Sequence, residues 1–400
     1  MYEILDEVGI HVAQAGLEDL IASLPYTLTF VKEVESIDIS SSIYSIVDES
    51  SEMLDPSTRL TRTRVHFASN DKFETVHSVV TLSTNLTTIA LPAHVNGKTV
   101  KLLSVSGKTP KLHCDFPLVG TEAFPFPTIT NSPAFNPTDS RDGIFLEKST
   151  RYNQAIEENK SIMREAQSLY LKLLQHATSN KWLDIHLMAQ GVAAPSNLEW
   201  VDDAWYKREI LEPIRDSLLR SKIVSTADGN IAAILDADGK NFVFFPFAEK
   251  KSARHAIWRC CASWIPHCLP KQEDLDFWSL NIWEGCGRLT LNQIAKFIEG
   301  IGSIQHLEKQ LIQVDVYDWL NEMYSLYDED ETAQAVLYRH KVFPNQHGTF
   351  CNIAELREDA GDIDNALLDI LQMLGRDIRA EMLSTRISRA IQHHAAIDQA

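Results

Sequence analysis

Hydrophobic residues near the start of the chain recur at helical spacing, with Leu17, Leu20, Ile21 and Leu24 on one face of a helix predicted over 3–24. Pro25 is expected to end it. The period then changes. Runs at 27–31, 34–39, 43–47, 61–67, 76–82, 87–91 and 100–105 are rich in Val, Ile, Thr and Phe and alternate as strands do. Asn96-Gly97 is a tight-turn signal between two of them. Residues 26–147 are therefore expected to form a twisted sheet.

The register changes again over 152–177, where Ile162, Ala166, Leu169, Tyr170, Leu173, Leu174 and Ala177 make one continuous apolar helical face. A short helix is predicted at 183–190, and another over 197–222 that Pro213 should break or kink. A small β insert follows at about 222–247, in which Asp228-Gly229 and Asp238-Gly239 read as hairpin turns. The second resembles a calcium loop only in its first positions, because Phe242, Val243, Phe244 and Phe245 stand where ligands should. Beyond 250 the pattern is helical, with candidates at 291–298, 304–311, 318–327, 333–338, 363–374 and 378–389. Trp258, Trp264, Trp278, Trp283 and Trp319 read as packing anchors, and 342–350 as strand–turn–strand. The fold class expected is α+β, with a sheet-rich domain over 1–150 and a mostly helical domain over 151–400 that carries the β insert.

Composition adds mainly exclusions. The formal charge of −18 over 400 residues argues against a broad nucleic-acid footprint, which needs a basic face. No run of roughly 18 apolar residues predicts a membrane span. Glu3, Asp6 and Glu7 stand where a signal peptide would carry basic residues, so a cytoplasmic protein is expected. Cys260, Cys261 and Cys268 lie near His255 and His267, but their spacing fits no zinc finger or ribbon; the Arg-Cys-Cys-Ala-Ser-Trp run reads as a buried helix.

The segment 111–144 is the most distinctive. It consists of two apolar extended stretches, each ending in a loop, and the second loop presents one arginine, Arg141, just before the long amphipathic helix. A guanidinium held on a loop after a strand suits bidentate contact with a phosphate. The competing expectation is that Arg141 pairs with Asp139 or Asp142 and only pins the loop. Asn131, Ser140 and Lys148 flank Arg141 and complete the candidate site.

Three stretches together resemble bacterial proteins with a sacsin-like GHKL ATPase domain: Asp115-Phe116-Pro117-Leu118-Val119-Gly120-Thr121-Glu122, the run from Phe124 to Ile144, and Phe343-Pro344-Asn345-Gln346-His347-Gly348. Trp319-Leu320-Asn321-Glu322 and the run 363–387 resemble the helical region of the same family, so the likeness extends from about 15 to 390. The resemblance implies an S5-like transducer domain followed by a helical region. It makes Arg141 the residue that reaches the nucleotide's terminal phosphate, with Ser140, Asn131 and Lys148 beside it. It also implies ATP and Mg2+, a GHKL nucleotide-binding domain as partner in cis or in trans, protein clients, and room for a homodimer.

The departure from the family is large. A Bergerat nucleotide site needs a helix with an acidic residue and an asparagine, then Asp-x-Gly-x-Gly and a glycine-rich lid, and none of these occurs as a set. Ile156-Glu157-Glu158-Asn159 has suitable residue types without the downstream glycines, Gly285-Cys286-Gly287 is too short for a phosphate loop, and Ser106-Gly107-Lys108-Thr109 reads as a turn. The chain is thus expected not to bind ATP by itself in that manner. It would be a fragment, the product of a split gene, or a member that has lost its ATPase half. His393-His394 and the acidic run 328–331 are expected to be solvated rather than metal-binding. A nucleotide-independent interaction scaffold is the alternative reading; a self-sufficient hydrolase or nuclease is disfavoured, because no triad or carboxylate cluster has useful spacing.

Overall fold

A computed structural model describes residues 7–39, 42–69, 74–192, 198–328, 331–358 and 363–388. The fold is mixed α+β and divides into two compact units. The first comprises 1–224 with 232–236 and 281–285; the second comprises 225–231, 237–280 and 286–400. Among the described residues no helix is long and apolar enough to cross a membrane.

In the first unit helix α1 (Glu7–Phe30) precedes strands β1 (Ser36–Ile39), β2 (Ser42–Asp55), β3 (Thr58–Ser69), β4 (Glu74–Ser83), β5 (Thr88–Asn96), β6 (Thr99–Leu102), β7 (Leu112–Cys114), β8 (Phe116–Pro117) and β9 (Ile129–Asn131). They form one nine-stranded sheet in the order β1-β2-β3-β4-β5-β9-β7-β8, with β6 also on β5. Every pairing is antiparallel except β7 with β9. The strand runs expected at 34–39, 43–47, 61–67, 76–82, 87–91 and 100–105 each contribute a strand to this sheet, although β1 begins only at Ser36, β5 at Thr88 and β6 ends at Leu102. Strand β2 continues well past its apolar stretch, since Asp48 and Glu52 meet Arg64 and Arg62 across the ladder, each at 2.8 Å.

Helix α1 corrects one expectation. Residues 27–30 are helical, and Pro25 lies inside the helix. Burial overrides strand propensity here: 23–29 are buried without a break, and Leu24 and Leu28 pack with Tyr44 and Val65. The hydroxyls of Thr27 and Thr29 donate to the carbonyls of Ser23 and Pro25, at 3.2 and 2.7 Å, which suits threonine to a helix interior.

The change of pattern near 150 marks the passage from sheet to helix within this unit. Helix α2 (Gln154–Ser179) starts at the cap Asn153, whose side chain accepts from the Ala155 amide, and buries the apolar face read from the sequence. A 3₁₀ turn (Ile185–Ala189) replaces the short helix at 183–190. The long helix expected over 197–222 is α3 (Asp203–Tyr206), a π turn (Lys207–Leu211) and α4 (Glu212–Arg220). Pro213, which has no N–H to donate, follows that widened turn directly.

The second unit is helical: α5 (Lys251–Ala262), α6 (Leu275–Asn281), α7 (Leu291–Ile301), α8 (Ile304–Glu308), α9 (Val316–Ser325), α10 (Glu331–Arg339) and α11 (Asn365–Met373). Its core is aromatic, as the tryptophan spacing implied. Trp319 donates to the Cys260 carbonyl at 2.7 Å, Tyr324 to the Val342 carbonyl at 2.7 Å, and Trp264 meets Trp319 edge to face. Cys260 and Cys261 are buried in this core as small hydrophobes.

Two expectations change here. The β insert gives one hairpin, β10 (Val224–Ser225) with β11 (Ile231–Ala232), turned by Gly229 at φ +85°. The second Asp-Gly does not make a hairpin back to β11. Strand β12 (Phe244–Pro246) instead pairs in parallel with β13 (Gly287–Leu289), which also makes Gly287 part of a strand. At the other end only Ile378–Glu381 is helical, as a 3₁₀ turn; Leu383 then bridges Asn345 in the hairpin of β14 (Phe343–Pro344) and β15 (Phe350–Cys351).

Candidate functional site

Parallel pairing of β7 with β9 brings the ends of both extended stretches of 111–144 together. At the end of β7 the chain turns through Asp115, a non-glycine residue at φ +60°. Asn131, at the end of β9, is buried, and its Oδ1 accepts the Asp115 amide at 2.8 Å. Asn131 therefore acts on the backbone of the neighbouring strand.

From Asn131 the chain runs out and back as a narrow loop. Pro137 bridges Ile144, the Thr138 amide donates to the Gly143 carbonyl at 3.0 Å, and the Arg141 amide donates to the Thr138 carbonyl at 2.9 Å. Arg141 sits at the tip with φ +58°, a conformation that costs of order 1 kcal/mol for a residue bearing a Cβ. Thr138 and Ser140 both donate to Asp142 Oδ1, which holds that carboxyl below its usual range.

Arg141 thus does not pair with Asp142. Its side chain is exposed and forms no ion pair with any described residue. It lies against the Cys114 thiol: burial pushes that thiol up, and the Arg141 charge pulls the other way. Cys114 Sγ also approaches the carbonyls of Pro133 and Phe135, at 3.8 and 3.7 Å. The 114–115 corner is consequently flanked by Asn131 and Arg141, two of the four residues singled out from the sequence. Ser140 sits on the same tip but is committed to Asp142. Lys148 is exposed beyond buried Leu146, with no hydrogen bond or ion pair to the loop among the described residues.

Three supports fix the loop, and the sequence reading did not assign a role to any of them. Asn159 of α2 is fully buried and takes the Asn136 amide on Oδ1 at 2.8 Å, while its Nδ2 donates to the carbonyls of Asn136 (2.8 Å) and Phe145 (3.0 Å). Gly143 lies under Trp200, where a Cβ would come within 2.4 Å of the indole; Trp200 in turn stacks on Phe124. Gly120, at φ +107°, lets the turn after β8 approach Asp142 so closely that a Cβ there would meet the Asp142 Cβ at 3.0 Å. The Asn159 signal was present in the pattern. Asn159 falls between Ile156 and Met163 on the apolar stripe of α2, where a lone amide must find partners.

Such a tip offers a fixed guanidinium able to donate to two oxygens of a phosphate or carboxylate. No cluster of three or more His, Cys, Asp or Glu suited to a metal occurs among the described residues. His393-His394 and positions 329–330 of the acidic run lie outside the described residues. Gly285 packs against Leu219 Cδ1 and Ser106-Gly107-Lys108-Thr109 closes a turn by the Thr109 amide to the Ser106 carbonyl, 3.0 Å, so both are accounted for by backbone geometry. No protein-family model, curated protein or solved structure matches the chain.

Proposed function

We propose that this chain is the transducer or middle portion of a GHKL-type, chaperone-like ATPase of the sacsin-like kind. In this reading the sheet unit is the S5-like transducer, and the loop at 138–143 contacts the terminal phosphate of ATP held on a neighbouring Bergerat domain, in cis or in trans. That domain would bring ATP and Mg2+; no residue of this chain is assigned to the metal. Closure onto Arg141 would be passed through Asn159 into α2, and the helical unit would engage clients or partners. Association as a homodimer belongs to the same reading; nucleic acid and membrane do not.

The observation that carries the proposal is a cationic tip built at a cost. Arg141 adopts a left-handed backbone, stays exposed and lacks a carboxylate partner, while three supports hold its loop. A residue serving only to pin the loop would be expected to close an ion pair with Asp139 or Asp142. The test is ATP turnover by an upstream GHKL nucleotide-binding domain, measured with and without this chain. Stimulation supports the proposal; turnover indifferent to the chain sinks it.

A nucleotide-independent interaction scaffold is the second reading, and α11 favours it. Leu367, Ile370, Met373 and Leu374 on or just past that helix are 50, 53, 86 and 76% exposed, an apolar surface of the kind partners cover. Partner binding that ignores nucleotide would select this reading over the first.

A further inference from the structure

Between α1 and the sheet face it packs on lie two adjoining cavities of about 440 and 500 Å³, with Ile21, Tyr44 and His77 common to both walls. They stay hollow because α1 and β5 present Ala22, Pro25, Pro92 and Ala93 to the larger one, short side chains that leave the space a leucine would fill.

The lining is chemically selective. Among the described residues neither wall contains Asp, Glu, Lys or Arg, in a chain of which 23% is charged. His77 and His94 stand at the solvent-accessible mouth, one step along the ladder from the Ser78–Ala93 pair. Burial, then the neighbouring His94, keep His77 below the ordinary histidine range, so it is neutral near pH 7. Deeper in, Tyr26 is only 6% exposed, and its hydroxyl makes no hydrogen bond to any described residue. Tyr26 forms part of the wall of the larger cavity.

We propose that this cleft binds an uncharged, mainly apolar small molecule carrying one hydrogen-bonding group, its body along Ile21, Tyr44 and Val79 and its polar group on the Tyr26 hydroxyl. The volumes fall in the range of small-molecule sites. Among the described residues of the wall an anion would find no cationic side chain and a cation no carboxylate, and a buried charge without a partner is costly. This inference concerns none of the residues of the Arg141 loop and stands independently of the function proposed above.

The probe is N-phenyl-1-naphthylamine, neutral and bearing one N–H, followed by its fluorescence on titration into the full chain. Saturable binding of one molecule per chain is expected. Ala22→Phe, which fills the cleft, and Val76→Trp, which plugs its mouth at a 48% exposed position, should each weaken it at least tenfold. Tyr26→Phe should weaken it roughly threefold to tenfold, the range for one lost hydrogen bond. The sulfonated analogue 8-anilinonaphthalene-1-sulfonate should bind at least tenfold more weakly. Circular dichroism melting of each variant separates a blocked cleft from an unfolded chain. No saturable binding by the parent chain, or unchanged affinity in folded Ala22→Phe and Val76→Trp, overturns the proposal. Equal binding of the sulfonate overturns its claim of an uncharged ligand.

Discussion

Asn136 and Asn159 hold each other through a reciprocal pair of hydrogen bonds, amide to Oδ1 and Nδ2 to carbonyl, both 2.8 Å long. One buried side chain on α2 thereby does for the base of the Arg141 loop what a ladder does for a strand. Its third bond, to the Phe145 carbonyl at 3.0 Å, ties the returning arm as well.

Replacing Asn159 with alanine should strand one amide and two carbonyls. At ~1 kcal/mol or more for each buried group left without a partner, a loss of ~3 kcal/mol is expected. Urea denaturation gives the magnitude, and amide exchange gives the location: protection should fall at Asn136 and its neighbours before it falls in the C-terminal half of α2. Stability within ~0.5 kcal/mol of the parent would show that the loop is held by something else.

Gly143→Ala probes the second support. A methyl there would lie 2.4 Å from the Trp200 ring, a separation that real contacts do not reach, so the indole must leave its stack on Phe124 or the loop must shift. An overpacking cost of ~1–3 kcal/mol is expected in a thermal melt. Chemical shifts of the Trp200 indole N–H should move while those of the second unit do not.

Two buried basic groups should shape the pH dependence of stability. His113 is fully buried with both ring nitrogens unpartnered, against the edge of Phe30, and burial lowers its pKa from 6.5 to about 3. Because the folded pKa is the lower one, the neutral ring's contribution is complete above pH 6.5 and is lost as pH falls towards 3. A His113→Phe variant should lack that loss, and the difference between the two should approach ~5 kcal/mol at the acid end. Parallel acid unfolding curves would contradict the burial argument.

Lys111, just before β7, has its ammonium buried without a hydrogen-bond partner among the described residues and a pKa lowered to about 8 by burial. Below pH 8 the charge is carried at full cost. As pH rises from 8 to 10.5 the folded state sheds its proton before the unfolded chain does, so stability should rise over that window. Lys111→Met should be more stable than the parent at pH 7 by roughly 3 kcal/mol, and the gap should close by pH 10.5. A destabilised methionine variant would show that the ammonium has a partner in solution.

The sheet was readable because its strands alternate and carry β-branched residues, and because Asn96-Gly97 marks a turn. The sequence around Pro25 does not show that α1 runs on through 27–30, since burial by distant strands decides their fate and no local pattern records it. The parallel pairing of β12 with β13 joins residues more than forty apart and left no sequence signal. Of the site, Arg141 and Asn131 were visible as polar residues in an apolar frame. Asn159 is equally visible: its place on a buried stripe of α2, more than the likeness of 156–159 to a nucleotide-site helix, is the clue.

In the function proposed above, Arg141 acts on the phosphate of a nucleotide bound elsewhere. ATP affinity and turnover should be measured on this chain joined to an upstream GHKL nucleotide-binding domain, with Arg141 and with Arg141→Ala. The account predicts nucleotide affinity within about twofold and turnover lowered by ~10³, the scale on which an arginine supplied from another element acts in phosphoryl transfer. Equal turnover by the two proteins would make the loop structural and contradict the account.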